Sequence, residues 1–277
     1  MIGVFKIFLA SLLAFVLTSL TQVGGLVFLL SLFTHKFINR KFSRRPARIG
    51  SKLICFLVLY FLTIFLFVPA PAKYFGRVPL PLFEENNLQP ATAWTFLLNR
   101  NYVRPSLKES VFSVAREVNK EYPGTVINYL DAGFPFMDGF PLAPHLSHDD
   151  GRKLDLSFLY IDAATGKQTR DVPSFIGYGI CEAPEPGEIN MPLICDGKGY
   201  WQYNVLRVLI PQTLKDQFRF DSERTKTLVR LLAEQPPIGK IFIEPHLRSR
   251  LGLNSSKIRF HGCQAVRHDD HIHVQLQ

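Results

Sequence analysis

The chain has 277 residues, a formal net charge of +9 at pH 7 and 47% hydrophobic residues. A basic balance raises nucleic-acid binding as a class, but the charge is confined to one end: Lys6, Lys36, Arg40, Lys41, Arg44, Arg45, Arg48 and Lys52 supply +8 of it, and no Asp or Glu precedes Glu84. Apolar runs border those cations, so membrane topology accounts for them and a nucleic-acid partner is excluded.

Residues 7–33 are nearly all apolar or small, and residues 53–70 carry no charge. Each run is long enough to cross a hydrocarbon layer of about 30 Å as a helix. Gly24 and Gly25 are expected to kink the first. By the positive-inside rule the basic loop 35–52 lies in the cytoplasm, with both termini outside. Residues 1–71 thus read as a transmembrane hairpin in the lipid bilayer, followed by an extracytoplasmic region. "APA" at 70–72 has the form of a signal-peptidase site, but Pro71 and the span before it favour a retained anchor. Neither run has a charge at its centre, which argues against a transport pathway.

"VPAPAKYFGRVPLPLF" (68–83) reads as a stiff connector, because proline fixes φ and cannot continue a helix. It opens a membrane-proximal linker over 72–104, and the remaining domain is expected over 105–277. There Leu107, Val111, Val114 and Val118 recur at helical spacing and end at Pro123-Gly124. "TVINYLDAG" and "KLDLSFLYID" read as strands, and "WQYNVLRVLIPQTL" fits strand or helix equally. "DSERTKTLVRLLAEQ" reads as a helix capped by Asp221 or Ser222. "KIFIEP" is a short strand, "HLRSRLGL" a short helix closed by Gly252, and "DHIHVQL" a terminal strand. Helices and strands interleave without βαβ regularity, which predicts an α+β fold.

Cys55 lies in the second apolar run. Cys181, Cys195 and Cys263 lie beyond it, where disulfides persist. These three permit three single pairings, between which sequence does not choose; a Cys181–Cys195 bridge with Cys263 free is the one favoured here, and no CxxC spacing suggests a cysteine metal site.

Five of the eight histidines fall in two short segments about 120 residues apart. In "RHDDHIHVQ" (267–275), strand alternation puts His271 and His273 on one face, with His268 on the turn before them. In "PHLSHDDGRKLDLSF", His148 and Asp155 form H-x-x-G-x-x-x-D, with His145 just ahead. Gly151 lets the loop turn sharply so that His148 and Asp155 converge. Two histidines and a carboxylate are a common ligand set for catalytic zinc, which leaves a position for water and lowers that water's pKa. A second histidine of the same-facing pair can take the proton. Asp149, Asp150, Asp269 and Asp270 read as supporting groups. His246 reads as a helix-surface residue, His35 belongs to the membrane loop, and His261 has no neighbour that gives it a role.

"HLSHDDGRKLD" together with "RHDDHIHVQL" resembles the penicillin-insensitive murein endopeptidases. Their wider fold group takes in the D-alanyl-D-alanine metallopeptidases, lysostaphin-type enzymes and the hedgehog signalling domain. The likeness covers roughly residues 105–277 and includes "FDSERTKTLVRLLAEQPPIGKIFIEPHLRSRL". It implies zinc held by His148, Asp155 and His273, with His271 as general base and His145 and His268 bordering the site. It also implies a small antiparallel sheet and cleavage of D-alanyl–diaminopimelate cross-links of peptidoglycan, in the periplasm of a bacterium. The chain departs from the family in its membrane hairpin and its few external cysteines. Two other functions fit the same residues. One is a D,D-carboxypeptidase or dipeptidase, which needs a cation such as Arg152 or Arg267 to grip the terminal carboxylate. The other is a zinc-containing module that binds cell wall without turnover.

Overall fold

The computed structural model describes residues 2–143 and 145–277, and begins with three helices: α1 (Ile2–Thr21), α2 (Gly24–Lys41) and α3 (Arg45–Leu62). The apolar run 7–33 is therefore two helices, not one kinked span. The chain turns at Gln22, whose φ is 65°, and α2 folds back so that Gly25 lies against Ala14 and Thr18. A Cβ at Gly25 has no room there, which accounts for the Gly24-Gly25 pair. The segment 35–52 is not a loop either, since only Phe42–Arg44 separates α2 from α3. α3 runs antiparallel to α2, with Phe28 against Phe56 and Cys55 Sγ 3.4 Å from Thr34 Oγ1. Val4–Thr21 and Arg45–Phe67 are each long and apolar enough to span a membrane.

α3 continues through a π-helical turn at Thr63–Phe67 into α4 (Pro69–Tyr74). Pro69 opens α4 at its first turn, where no intrahelical N–H is needed, so "VPAPA" does not break the rod as expected. The helical unit is fastened to the rest at one end. Tyr60 donates to the Leu97 carbonyl at 2.6 Å, Asn99 Nδ2 to the Thr21 carbonyl at 3.3 Å, and the Phe136 amide to Gln22 Oε1 at 2.8 Å.

The next elements are β1 (Val78–Pro79), β2 (Leu88–Pro90), α5 (Ala93–Leu97), β3 (Tyr102–Val103), α6 (Pro105–Glu121), β4 (Ile127–Tyr129) and β5 (Lys153–Ser157). Then come β6 (Tyr160–Asp162), β7 (Gln168–Thr169), α7 (Met191–Gly197), α8 (Val205–Leu209), β8 (Phe218–Phe220) and α9 (Ser222–Glu234). The chain closes with β9 (Ile238–Phe242), α10 (Pro245–Arg250), β10 (Ile258–Arg259) and β11 (His271–Leu276). "WQYNVLRVLIPQTL" is helical throughout its ordered turns, and "KLDLSFLYID" is split between β5 and β6. Residues 72–104 are not a mere linker: β2 is an edge strand of the main sheet, and Leu80, Leu88 and Val103 lie in the core.

The fold mixes helices with small sheets, as the interleaving predicted. The largest sheet has the order β10-β9-β11-β5-β4-β2. Its four central strands pair antiparallel, while β10 and β2 add parallel edges. One face is apolar. Leu154 and Leu156 of β5 and Ile272, Val274 and Leu276 of β11 pack with Leu107, Val111, Val114 and Val118 of α6 and Leu228, Val229 and Leu232 of α9. Each such side chain contributes roughly 1.5–3 kcal/mol by leaving water. α9 is capped by Asp221, whose carboxylate accepts from the Arg224 amide at 3.1 Å. The pleat sends the intervening residues, Asp155, His271 and His273, to the opposite face.

The disulfide joins Cys195 and Cys263, not Cys181 and Cys195. α7 carries Cys195 away from Cys181 and onto the segment that precedes the terminal histidines. Cys181 and Cys55 are free thiols.

Candidate metal centre

Three segments meet on the polar face of the sheet. β11 and β5 are in a register that sets His273 directly across from Asp155, and His271 across from Ser157. His148 arrives from the loop between β4 and β5. Gly151 makes the turn at φ +71°, as its place in the motif predicted, and its carbonyl accepts from the Arg104 amide at 2.7 Å. Arg77 is wholly buried behind that loop. Its guanidinium donates to the carbonyls of Phe134 and Asp149 and to the Asp138 carboxylate, so one cation ties together the backbone that presents His145 and His148.

The donor atoms converge. His273 Nδ1 lies 2.9 Å from Asp155 Oδ1 and 3.2 Å from His148 Nε2, and His148 Nε2 lies 3.3 Å from Asp155 Oδ1. Ligands of a tetrahedral zinc at 2.0–2.1 Å stand about 3.3 Å apart, so these separations are compatible with one cation between the three groups. All three residues are buried. His148 Nδ1 is 2.9 Å from the Ala132 carbonyl, which accepts from that nitrogen and turns Nε2 toward the other two groups.

His145 belongs to the same cluster. His145, His148 and Asp155 form a buried group able to hold a metal ion, with His145 Nδ1 3.3 Å from Asp155 Oδ2. Neither ring nitrogen of His145 has a hydrogen-bond partner among the described residues. A buried imidazole left with both nitrogens unpartnered fits a site completed by a cation or its water.

The electrostatics suit the same purpose. Burial alone would raise the Asp155 carboxyl, but His148 and His271 outweigh it and hold the group well below the usual carboxylate range. His273 is pushed down to about 4, because burial outweighs the pull of Asp155, so its lone pair is available. His268 is held neutral by burial and then by its neighbours His271 and His273. For His271, burial opposes protonation but the carboxylates of Asp270 and Asp155 prevail and lift it to about 9. Its Nδ1 is 2.5 Å from Asp270 Oδ1, and its Nε2 faces the cluster, 3.8 Å from Asp155 Oδ2.

No protein-family model matches this chain, and no curated protein does. The geometry therefore stands alone. It brings all six sequence-predicted residues, His145, His148, Asp155, His268, His271 and His273, into one buried cluster. Asp269 and Asp270 support it, as expected: Asp269 pairs with Arg267, and Asp270 holds both His271 and the Gly179 amide.

Two histidines were misread from sequence. His246 is fully buried, not on a helix surface, because α10 turns it inward and its Nε2 bonds the Glu182 carbonyl at 2.7 Å. His261 does have neighbours, since it stacks on Phe242 at 4.2 Å and approaches His268 at 5.4 Å. Two participants had no sequence signal. Tyr178 donates to Asp155 Oδ2 at 2.8 Å and packs edge-on between the rings of His145 and His271. Asp131 Oδ2 lies 3.4 Å from His145 Nδ1. Tyr178 comes from an irregular segment, and Asp131, inside the stretch read as a strand, lies beyond the strand's end at Tyr129, so alternation marks neither as facing the site.

Proposed function

We propose that this chain is a membrane-anchored zinc peptidase that hydrolyses peptide cross-links of the D-alanyl–diaminopimelate type in bacterial peptidoglycan, outside the cytoplasmic membrane. The observation that carries the reading is the mutual 2.9–3.3 Å spacing of His148 Nε2, Asp155 Oδ1 and His273 Nδ1. The resemblance of both motifs to the murein endopeptidases supplies the substrate class.

Bound zinc would supply Lewis acidity and a water acidic enough to be attacked by a base near neutral pH. The chain's own residues do the rest. His148, Asp155 and His273 would hold the ion, with Tyr178 orienting Asp155 through its hydroxyl. His271 is the proton carrier, because Asp270 fixes its Nδ1 and leaves Nε2 aimed into the cluster. With Asp155 committed to a cation, one of the carboxylates that retain that proton is withdrawn and Asp270 and Asp269 remain, so the ring can both take and return it. His268, held neutral, and His145 can donate to a developing oxyanion.

The helices anchor this domain. In this reading α1, α2 and α3 lie in the bilayer, with the Gln22 turn at the domain side and the basic Phe42–Arg44 turn at the cytoplasmic side. Lys6, at the far end of α1 from Gln22, then joins the cytoplasmic cations. By length and composition Val4–Thr21 and Arg45–Phe67 pass as spans, so this reading adds α2 as a third crossing to the two expected.

The test is metal analysis of the purified full-length protein together with digestion of purified sacculi, followed by chromatography of the products. One zinc per chain and release of monomers from cross-linked dimers is the expected result. Stoichiometric zinc with intact dimers and intact stem peptides would refute the peptidase assignment.

A further inference from the structure

We infer that the joint between the helical anchor and the domain binds an anionic glycerophospholipid, with its phosphate at Lys108 and the start of an acyl chain against Ile64 and Phe65. The inference rests on the bilayer placement of α1, α2 and α3 proposed above, and on a cavity none of whose lining residues belongs to the metal centre.

The cavity, of about 280 Å³, lies where the two parts of the chain meet. The anchor supplies Ile64, Phe65 and Pro69, and the domain supplies Leu80, Leu82 and Phe96. A π-helical turn over Thr63–Phe67 presents the anchor's share. Such turns are rare and occur mostly as single interruptions of an α-helix, frequently at functional sites. Here Ile64 is buried, and Phe65 reaches Phe96 of α5 with ring centroids 6.3 Å apart. The volume falls just short of the roughly 300–1,000 Å³ of pockets that enclose a drug-sized ligand, so the cavity takes one end of a lipid rather than the whole.

Its walls belong at the bilayer surface. Ile64 and Phe65 are among the last residues of the apolar stretch Arg45–Phe67, and Leu66 and Phe67 beside them are exposed. On the domain side Phe83, next in sequence to the wall residue Leu82, is 81% exposed, and Tyr74 and Phe75 after α3 are exposed as well. Aromatic rings left open at the end of a span sit at headgroup level. A lipid is therefore the neighbour that this cavity has along its apolar wall, whereas a soluble peptide or a second copy of the chain has to displace one.

The charge at the cavity calls for an anion. Lys108 lines it, half-buried, with its ammonium donating to the Pro79 carbonyl at 2.8 Å and lying 5.3 Å from the Phe112 ring centroid. Among the described residues it makes no other hydrogen bond and no ion pair, which leaves two of its three N–H donors open. Glu85 also lines the cavity, but it is exposed and does not pair with Lys108. Asn99 and Asn101 line it too, with their amides committed to the Thr21 and Leu80 carbonyls. Lys108 stands in the first turn of α6, the end at which a helix dipole opposes a cation and favours an anion. Burial pushes the ammonium's pKa down against the pull of Glu85, so a phosphate beside it restores what burial removes. One molecule satisfies both halves of the cavity: its phosphate pairs with Lys108, and its chain follows Ile64 and Phe65 toward the bilayer.

The test titrates full-length protein in a non-ionic detergent with short-chain phosphatidylglycerol, phosphatidylcholine of the same chains, and glycerophosphoglycerol, which has the headgroup without chains. Native mass spectrometry and thermal melts read binding. One phosphatidylglycerol per chain is expected, held about tenfold more tightly than phosphatidylcholine, with no effect of the chainless headgroup. Lys108→Gln is expected to erase the tenfold preference at an unchanged lipid-free melt, and Lys108→Arg to keep it. Leu82→Trp, which fills the cavity and spares the cation, is expected to abolish binding of both lipids, and it decides the matter if Lys108→Gln lowers the lipid-free melt. Equal affinity for the two lipids, binding unchanged in Leu82→Trp, or a preference that survives in Lys108→Gln overturns the site. The last result would assign the lipid to the basic Phe42–Arg44 turn instead.

Carbonate extraction of membranes tests the anchor separately. Release of the chain into the supernatant overturns the bilayer reading, and the titration then decides the cavity alone: a preference for phosphatidylglycerol that depends on Lys108 sustains the site, and its absence overturns it.

Discussion

His273 stands directly opposite Asp155 across the β11–β5 ladder, with Nδ1 2.9 Å from Oδ1. A pairing fixed by strand register cannot relax to find another partner. Asp155→Asn is therefore expected to abolish stoichiometric zinc, with the fold retained by circular dichroism. Tyr178→Phe removes only the hydroxyl that orients Asp155, and is expected to weaken zinc about 10–100-fold in a chelator competition. Unchanged zinc affinity in both variants would show that the cluster is not a metal site.

Asp270 is the counterpart on the proton side. Asp270→Asn is expected to keep zinc and to lower turnover by about 100-fold or more, because the His271 ring loses the negative charge that stabilises its protonated form. Asp270 also accepts from the Gly179 amide at 2.6 Å, so a thermal melt alongside the assay separates lost positioning from lost folding. Loss of turnover with an unshifted melt is the expected pair.

How this site was legible in the sequence follows from its construction. The H-x-H parity put His271 and His273 on one face because β11 alternates strictly, and the glycine between His148 and Asp155 marked a turn that φ +71° bears out. The α6 stripe was equally visible, since Leu107, Val111, Val114 and Val118 are all fully buried. Asp131 and Tyr178 were invisible, for they sit on irregular backbone whose course is set by distant partners. The α1–α2 reversal was missed for a related reason. Composition reports that 7–33 is apolar, whereas the turn depends on Gly25 fitting against Ala14 and Thr18.

Gly151 offers a test of the loop independent of the metal. At φ +71° any Cβ is strained, and at this position it also meets Arg77 Nε at 3.2 Å. Arg77 is buried and cannot swing away. Gly151→Ala is expected to cost about 1–3 kcal/mol in a denaturant titration and to weaken zinc as His148 shifts. A neutral effect on both would mean that the loop is not held as described.

Glu244 sets a pH dependence. It is fully buried, and its Oε1 accepts from the His268 amide at 3.1 Å. Burial lifts its carboxyl to about 7, against the opposing influence of the nearby Tyr203 hydroxyl and with help from Asp269. The folded pKa exceeds the unfolded one, so the folded state binds more protons between them. The contribution to stability is complete below about 4.5, declines as pH rises and is lost above about 7, on the order of 3 kcal/mol in all. Glu244→Gln is expected to flatten that slope and to be the more stable protein at pH 8, as read by thermal melts across the range.

The Cys195–Cys263 bridge spans 68 residues of sequence and ties α7 to the segment leading into His268. By loop-closure entropy it contributes about 4 kcal/mol. Cys263→Ser should lower the melting temperature in proportion, while Cys181→Ser, which removes only a free thiol, should change it little. Non-reducing peptide mapping reads the pairing directly: a Cys181–Cys195 peptide would contradict it.

The helical anchor makes the last prediction. Gln22 and Thr21 bond the domain at Phe136 and Asn99, and Tyr60 bonds it at Leu97, so the α1–α2 turn and the end of α3 lie on the domain side. The Phe42–Arg44 turn lies a helix length away, about 27 Å for the 18 residues of α2. Val4–Thr21 and Arg45–Phe67 are the helices long and apolar enough to span a membrane; in the proposed topology α2 crosses between them, so that the chain start and the basic turn share one side. Single cysteines placed at Lys6 and at Ser43, in a background without the free thiols Cys55 and Cys181, are therefore expected to resist a membrane-impermeant maleimide in intact cells and to react after permeabilisation. A cysteine at Asn86 in the domain is expected to react in both. Labelling at Lys6 in intact cells, with Ser43 protected, would restore the two-crossing topology and make the Gln22 turn a feature of a helix that does not cross.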